Sequence, residues 1–234
     1  MSKTFTIGDI HGAHKALLQC LERSGFNYKK DTLIPLGDVV DGWPEVPECI
    51  DELMKIKNLI YILGNHDMWL LNWFKFGARP LVWTEQGGQA TLDAYLKRGG
   101  WDGHGAFLEK GHYKYIDDKN RIFCHGGFYR RIAMEAQLPE MFLWDRSLAE
   151  KAVSGKTSGF KVDEFEHVFI GHTTVNNFSP KRVPRNLPFT SGNVTLMDTG
   201  AGMEGKLTIM DVDTKEFWQS DIVKELYPDD KGRN

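Results

Sequence analysis

Nine side chains of the kinds that bind metals or move protons fall into five short clusters in this sequence. They are Asp9 and His11 in "GDIHG", Asp38 and Asp41 in "GDVVD", Asn65, His66 and Asp67 in "GNHD", His125 in "HGG" and His172 in "GHT". Carboxylate, amide and imidazole groups without thiolate suit borderline or hard divalent ions such as manganese, iron or zinc. The set Asp9, His11, Asp38, Asn65, His125 and His172 is larger than one tetrahedral ion needs. Two ions sharing a bridging carboxylate would use all of it. Such a pair positions a water-derived nucleophile for in-line displacement and clamps the attacking and leaving oxygens.

Each cluster follows an apolar run: "TFTI", "LIPL", "LIYIL", "RIFC" and "HVFI". Runs of this kind read as strands buried on both faces, and strand ends in such sheets face the ligand crevice. Helical patterns lie between the first three. "HKALLQCLERSGF" sets Leu17, Leu18 and Leu21 on one face, and "EVPECIDELMKIK" does the same with Cys49, Ile50, Leu53 and Met54. The alternation predicts βαβ units and a largely parallel arrangement in this part of the chain. Residues 68–120 read as a mostly helical insertion over the strand ends, with Trp69, Trp73, Phe74 and Trp83 expected to form a small satellite core rather than a substrate platform. "NVTLMDTG", "GKLTIMDVD" and "KEFWQSD" predict an antiparallel meander, and the tail "YPDDKGRN" is expected to fray. With no repeat, linker or low-complexity tract, residues 1–234 are read as a single domain.

Composition narrows the partners. Of 234 residues, 41% are apolar and 26% charged, and the net charge of −3 comes with no basic block. Electrostatic attraction to nucleic acid or an anionic membrane is therefore not supported. The first residues lack the apolar core of a signal peptide, and no apolar run is long enough to span a bilayer. Cys20, Cys49 and Cys124 are odd in number and widely spaced, as expected of reduced, mostly buried thiols. The expectation is a cytoplasmic protein, with nothing to predict an oligomer.

In their order, the five motifs resemble those of the calcineurin-like metallophosphoesterases. More narrowly they resemble the phosphoprotein phosphatase family, the serine/threonine phosphatases with bacterial and phage members. "GGQATLDAY" (87–95), "LWDRS" (143–147) and "DTGAGMEGKLT" (198–208) extend the resemblance over roughly residues 5–212. It implies an α/β fold (α+β by some schemes), a four-layer β-sandwich of two mixed sheets flanked by helices, which replaces the purely parallel picture and sends the meander to the second sheet. It also implies a site. Asp9 and His11 would hold the first of two divalent ions, Asp38 would bridge both, and Asn65, His125 and His172 would complete the second. Manganese leads, with iron or zinc as alternatives. His66 would be the general acid, hydrogen-bonded by Asp41. Arg146 of "WDR" would bind the substrate phosphate, alongside Asn65.

Two departures qualify the resemblance. The family pattern "GDxxDRG" carries a phosphate-gripping arginine after the second Asp, where this chain has Gly42 and Trp43. The loss removes a bidentate donor and a positive charge. Arg130 and Arg131, just after His125, are the candidate replacements. Asp67 stands where the protein phosphatases usually carry Glu, and "GNHD" before apolar residues also resembles the bacterial diadenosine tetraphosphatases. Asp67 itself is expected to be a hydrogen-bonded turn or cap residue. The expected activity is hydrolysis of phosphomonoesters, of phosphoproteins (Ser/Thr, possibly Tyr) or small phosphoesters, by a metal-bridging hydroxide. The alternative within enzymes is a dinucleoside polyphosphate or nucleotide hydrolase, and the alternative outside them is a catalytically silent binding scaffold.

Overall fold

A computed structural model describes residues 2–101, 103–155 and 159–233. The first half runs β1 (Thr4–Ile7), α1 (His14–Arg23), β2 (Thr32–Pro35), α2 (Val46–Met54), β3 (Asn58–Leu59), α3 (Asn65–Phe76), α4 (Leu81–Trp83), α5 (Gln89–Arg98) and α6 (His104–Leu108). The second half runs β4 (Lys114–Ile116), β5 (Arg121–Cys124), α7 (Pro139–Trp144), α8 (Ser147–Ser154), β6 (His167–Ile170), β7 (Phe189–Ser191), β8 (Val194–Leu196), β9 (Thr208–Asp211), β10 (Phe217–Gln219) and α9 (Val223–Leu226).

The strands form two five-stranded mixed sheets, ordered β10-β9-β1-β2-β3 and β4-β5-β6-β8-β7. The central strands are parallel in both: β1 with β2 and β2 with β3 in the first, β5 with β6 and β6 with β8 in the second. The antiparallel pairings are β1 with β9 and β9 with β10 in the first sheet and β4 with β5 and β7 with β8 in the second, so three of the four edges are antiparallel and the β3 edge is parallel. Ile34, Leu36 and Ile62 from one side meet Phe123, Phe169 and Met197 from the other, a dry layer between the sheets. Helices α1 and α2 cover the outer face of the first sheet, burying Leu17, Leu21, Cys49, Ile50 and Leu53 in one core. Helix α8 contributes Leu148, Ala149, Ala152 and Val153 to the other outer core. Sheets and helices thus stack in four layers, the expected sandwich.

Several local expectations change. Leu18 and Met54 are 39% and 47% exposed, because each lies one residue beyond the stripe that faces its sheet. The run "LIYIL" supplies only Leu59 of the two-residue β3 and an isolated bridge from Ile62 to His112. The insertion is helical but ends in the short strand β4, which pairs with β5. The C-terminal strands do not form one meander. β8 pairs in parallel with β6 in the second sheet, whereas β9 and β10 return to the first, with β9 antiparallel to β1. Residues 197–207 cross from one sheet to the other. Nor does segment 227–233 fray: Tyr227 stacks on Trp43 with ring centroids 5.2 Å apart, and Arg233 N–H donates to Gly202 O at 2.7 Å.

The three cysteines are buried and unpaired, as read from their spacing. Among the described residues no helix is long and apolar enough to cross a membrane.

Candidate active site

The loops that follow β1, β2, β5 and β6, together with the start of α3, bring the five sequence clusters together. Two groups of ligand atoms emerge, Asp9–His11–Asp38 and Asp38–His125–His172, each with its atoms within 4.8 Å of one another. Asp38 belongs to both, which is the arrangement a bridging carboxylate requires. Holding these side chains inward strains the backbone. Among the described residues seven non-glycines have positive φ, and four of them are His11, Asp38, Asp41 and His172. The left-handed region disfavours side chains with a Cβ, though Asp, Asn and His tolerate it best, and such outliers concentrate at functional sites.

Hydrogen bonds aim each ligand. His11 Nδ1–H donates to Val40 O at 3.0 Å and His125 Nδ1–H to Leu36 O at 2.7 Å, which turns Nε2 of each ring toward the cluster. His125 Nε2 lies 3.0 Å from Asn65 Oδ1 and 3.3 Å from Asp38 Oδ2. Both Asp9 oxygens accept the His172 backbone N–H, at 3.2 and 3.0 Å. Asp67 caps α3 and holds the loop after β2. Its carboxylate accepts from Gly64 N (2.8 Å), Asp38 N (2.8 Å) and Val39 N (3.0 Å), the structural role expected of it.

The residues present fit a pair of cations. Asp38 Oδ2 and His172 Nε2 are fully buried with no hydrogen-bond partner among the described residues. An orphaned carboxylate oxygen and imidazole nitrogen in one cluster are costly unless a cation satisfies them. The charges lean the same way. Burial would raise Asp38, but the His125, His66 and His11 imidazoles outweigh it and hold its carboxyl well below the usual range. Burial pulls His125 down, yet Asp38 and Asp9 push it up to about 9. Burial, with help from His125, drives His172 down, and burial with the Arg233 guanidinium does the same for His11. Burial and Asp198 raise Asp9, and burial and Asp38 push Asp67 up to about 7. Crowded acids and bases of this kind mark a site built for added positive charge.

His66 sits on Asp41: its Nδ1 is 2.6 Å from Asp41 Oδ2, while its Nε2 is buried without a partner, 4.0 Å from Asp38 Oδ2. Asp41 is fixed in turn by two residues that the sequence reading did not single out as site residues. Trp83 Nε1–H donates to Oδ2 at 2.8 Å and Thr91 Oγ1–H to Oδ1 at 2.5 Å. Thr91 lies inside "GGQATLDAY", so that motif was the signal for it. Trp83 and Trp73 are buried with Phe74 packed against them, but in the same core as α1 and α2 rather than in a separate satellite core. Trp69 is different. Its ring meets His66 edge-on at 4.8 Å and Trp144 at 5.5 Å, and Trp144, 46% exposed, stands 6.1 Å from His172.

A cavity of about 230 Å³ opens beside the ligands, lined by His11, His172, Asp198 and two guanidinium groups, those of Arg146 and Arg233. Arg146 is tethered through Nη1 to His172 O (3.0 Å) and Thr173 Oγ1 (3.3 Å). Arg130 and Arg131 are exposed and line other cavities, with Arg130 over the Phe160 ring at 5.3 Å. The structure does not bring them to this cavity. Of the remaining histidines, His104 is buried and bonds Tyr95 Oη at 2.7 Å and Asp51 at 3.0 Å, whereas His112 is exposed.

Comparison with known proteins gives the geometry its context. The model of the calcineurin-like phosphoesterase family matches residues 3–176. A symmetrical bis(5'-nucleosyl)-tetraphosphatase of Nitrosomonas europaea is 36% identical over 69 residues, 29% of this chain and 26% of that protein. The same-named protein of Coxiella burnetii is 37% identical over 94 residues, 40% of this chain and 31% of that protein. This chain therefore covers about a quarter to a third of the length of those curated relatives. A crystal structure provisionally described as a diadenosine tetraphosphatase superposes with a TM-score of 0.67 at 17% identity, covering 93% of this chain and 92% of that one. At that identity the likeness shows the fold alone. The family match spans most of the chain and includes every motif from "GDIHG" to "GHT": the chain belongs to the calcineurin-like phosphoesterase family.

Proposed function

We infer that this phosphoesterase cleaves a dinucleoside polyphosphate of the diadenosine tetraphosphate kind, using two divalent ions, with manganese the first candidate. The observation that carries the substrate class is the Trp69–Trp144 pair beside His66 and His172, an aromatic wall at the rim of the ligand cluster. Such a wall suits stacking of a nucleobase, worth about 1–3 kcal/mol per base. The tetraphosphatase names of the curated relatives support the same class over a phosphoprotein side chain.

Asp9, His11, Asp38, Asn65, His125 and His172 would hold the ions, with Asp38 shared. When bound, the ions supply Lewis acidity and positive charge for displacement at phosphorus. The protein's own groups do the rest. Arg146, held by its two tethers, keeps N–H groups free for the equatorial phosphate oxygens. His66 Nε2 gives its proton to the departing oxygen while Nδ1 stays on Asp41, which fixes the ring.

A panel of diadenosine tetraphosphate, p-nitrophenyl phosphate, phosphoserine and phosphotyrosine peptides, offered to manganese-loaded protein beside His66→Asn, tests the reading. The expected result is kcat/KM at least about tenfold higher for the dinucleotide, with ADP as product, and loss of turnover in the variant. Faster turnover of a phosphopeptide would sink it in favour of a protein phosphatase. Fewer than one bound ion per chain and no turnover would point to a silent scaffold.

A further inference from the structure

We propose that Arg233 is a substrate-phosphate-binding residue, carried to the site by segment 227–233 and paired there with Arg146. The inference rests on the phosphoester reading above, and its test is read without turnover.

Gly42 and Trp43 are what bring the segment in. Trp43 is fully buried, donates its indole N–H to Ala201 O at 2.7 Å, and stacks on Tyr227. Tyr227 is fixed by its hydroxyl, which bonds Glu45 and accepts Lys15 N–H at 2.9 Å. Gly232 then passes so near the same indole that a Cβ on it would lie 2.7 Å from Trp43 Cζ2. Arg233 N–H donates to Gly202 O at 2.7 Å. This fixes the backbone of residue 233 beside Gly42. Gly42 has φ +95°, and a Cβ there would come within 3.3 Å of Arg233 N and 3.4 Å of Arg233 Cβ. A side chain at position 42 would crowd Arg233 and, at 3.3 Å, His11 O.

The guanidinium is poised for an anion. It lines the same cavity as Arg146, His11 and His172. Its Nε is buried and has no hydrogen-bond partner, and no carboxylate lies within ion-pair distance of it among the described residues. Its one side-chain hydrogen bond among the described residues is Nη1 to His11 Nε2, at 3.1 Å. A neutral imidazole nitrogen is a weak partner for a guanidinium, and His11 Nε2 is the atom its own hydrogen bonding aims at a metal ion. Commitment of that lone pair to an ion leaves Arg233 with every side-chain donor free. Two guanidinium groups in one cavity match the charge and fork geometry of a phosphate group.

Titration calorimetry of the manganese-loaded full chain with inorganic phosphate, beside its metal content and melting temperature, decides the matter. Arg233→Ala should raise the phosphate Kd by about 10- to 100-fold, as loss of a charge-assisted contact does, with metal content and melting unchanged. Arg233→Lys should recover part of that affinity, Arg146→Ala should weaken binding comparably, and the exposed Lys231→Ala should bind as wild type. Wild-type affinity in Arg233→Ala, with Arg146→Ala impaired, overturns the proposal while leaving the phosphoester reading intact. Failure of phosphate to bind the loaded wild-type protein also overturns it. So does Arg233→Ala that binds phosphate as wild type but holds metal more tightly, which would make the guanidinium a block on His11. A protein that binds phosphate through Arg233 yet cleaves nothing in the substrate panel refutes the substrate class and leaves this inference standing.

Discussion

The Trp83 indole N–H and the His66 imidazole meet on the same oxygen of Asp41, Oδ2, at 2.8 and 2.6 Å. Trp83 comes from the helical insertion and Asp41 from the loop after β2, so the insertion sets the orientation of the pair proposed to transfer the proton.

Trp83→Phe therefore removes a donor from Asp41 without touching a metal ligand. Hydrogen bonds to charged groups are worth about 1.5–3 kcal/mol, so kcat should fall about 10- to 100-fold. KM for the same phosphoester and the metal content should hold, because Trp83 reaches neither ion nor substrate. Steady-state kinetics with metal analysis check this. A variant that loses affinity for substrate at constant kcat would place Trp83 in binding instead.

Asp67→Asn keeps the shape of the α3 cap but offers one acceptor oxygen where two now receive three N–H groups. A buried donor left unmet costs about 1–3 kcal/mol. For a chain of this length each kcal/mol lowers Tm by about 2–4 °C. Calorimetric melting should show that drop, and manganese affinity should fall as well, because two of the three N–H groups belong to Asp38 and Val39. Unchanged melting would mean that Gly64 and Asp38 are held by other contacts.

His167 opens β6 with its Nε2 2.8 Å from Thr195 Oγ1, away from the metal ligands. Burial, with Lys215 and Arg121 nearby, lowers its imidazole to about 3. In the unfolded chain the same group titrates near 6.5. Between those values the unfolded state binds the extra proton, so stability falls as pH drops from about 6.5 toward 3. His167→Gln should flatten that dependence, by less than about 1.4 kcal/mol per pH unit given the ring's partial exposure. Urea unfolding at several pH values reads it. Parallel pH profiles for variant and wild type would show that the folded imidazole is not depressed.

The candidate metal ligands were legible because they are chemically distinctive and punctuate apolar runs; Asp9, His11, Asp38, His125 and His172 gather in two overlapping groups, with Asn65 Oδ1 3.0 Å from His125. Asp41 and Asp67 were legible for the same reason. What could not be read were relationships carried by ordinary residues across long stretches of chain. The split of β8 from β9 depends on which sheet has an open edge, and the pattern of "NVTLMD" and "KLTIMD" is the same for either choice. Arg130 and Arg131 are adjacent to a motif in sequence but line other cavities in space. Arg233 lies in a stretch of Pro, Asp, Lys and Gly whose composition predicts loose chain, and only the Trp43–Tyr227 stack reveals that it is anchored. The Trp43 ring is the shelf for that segment.

The crossing at residues 197–207 links the two sheets and also touches the site. Its Ala201 carbonyl holds Trp43, its Gly202 carbonyl holds the Arg233 backbone, and Asp198 lines the cavity. The seam that closes the sandwich is thus also the bench on which the site is assembled. A change at Ala201 or Gly202 is therefore expected to disturb Trp43 and Arg233 as well as the joint between the sheets.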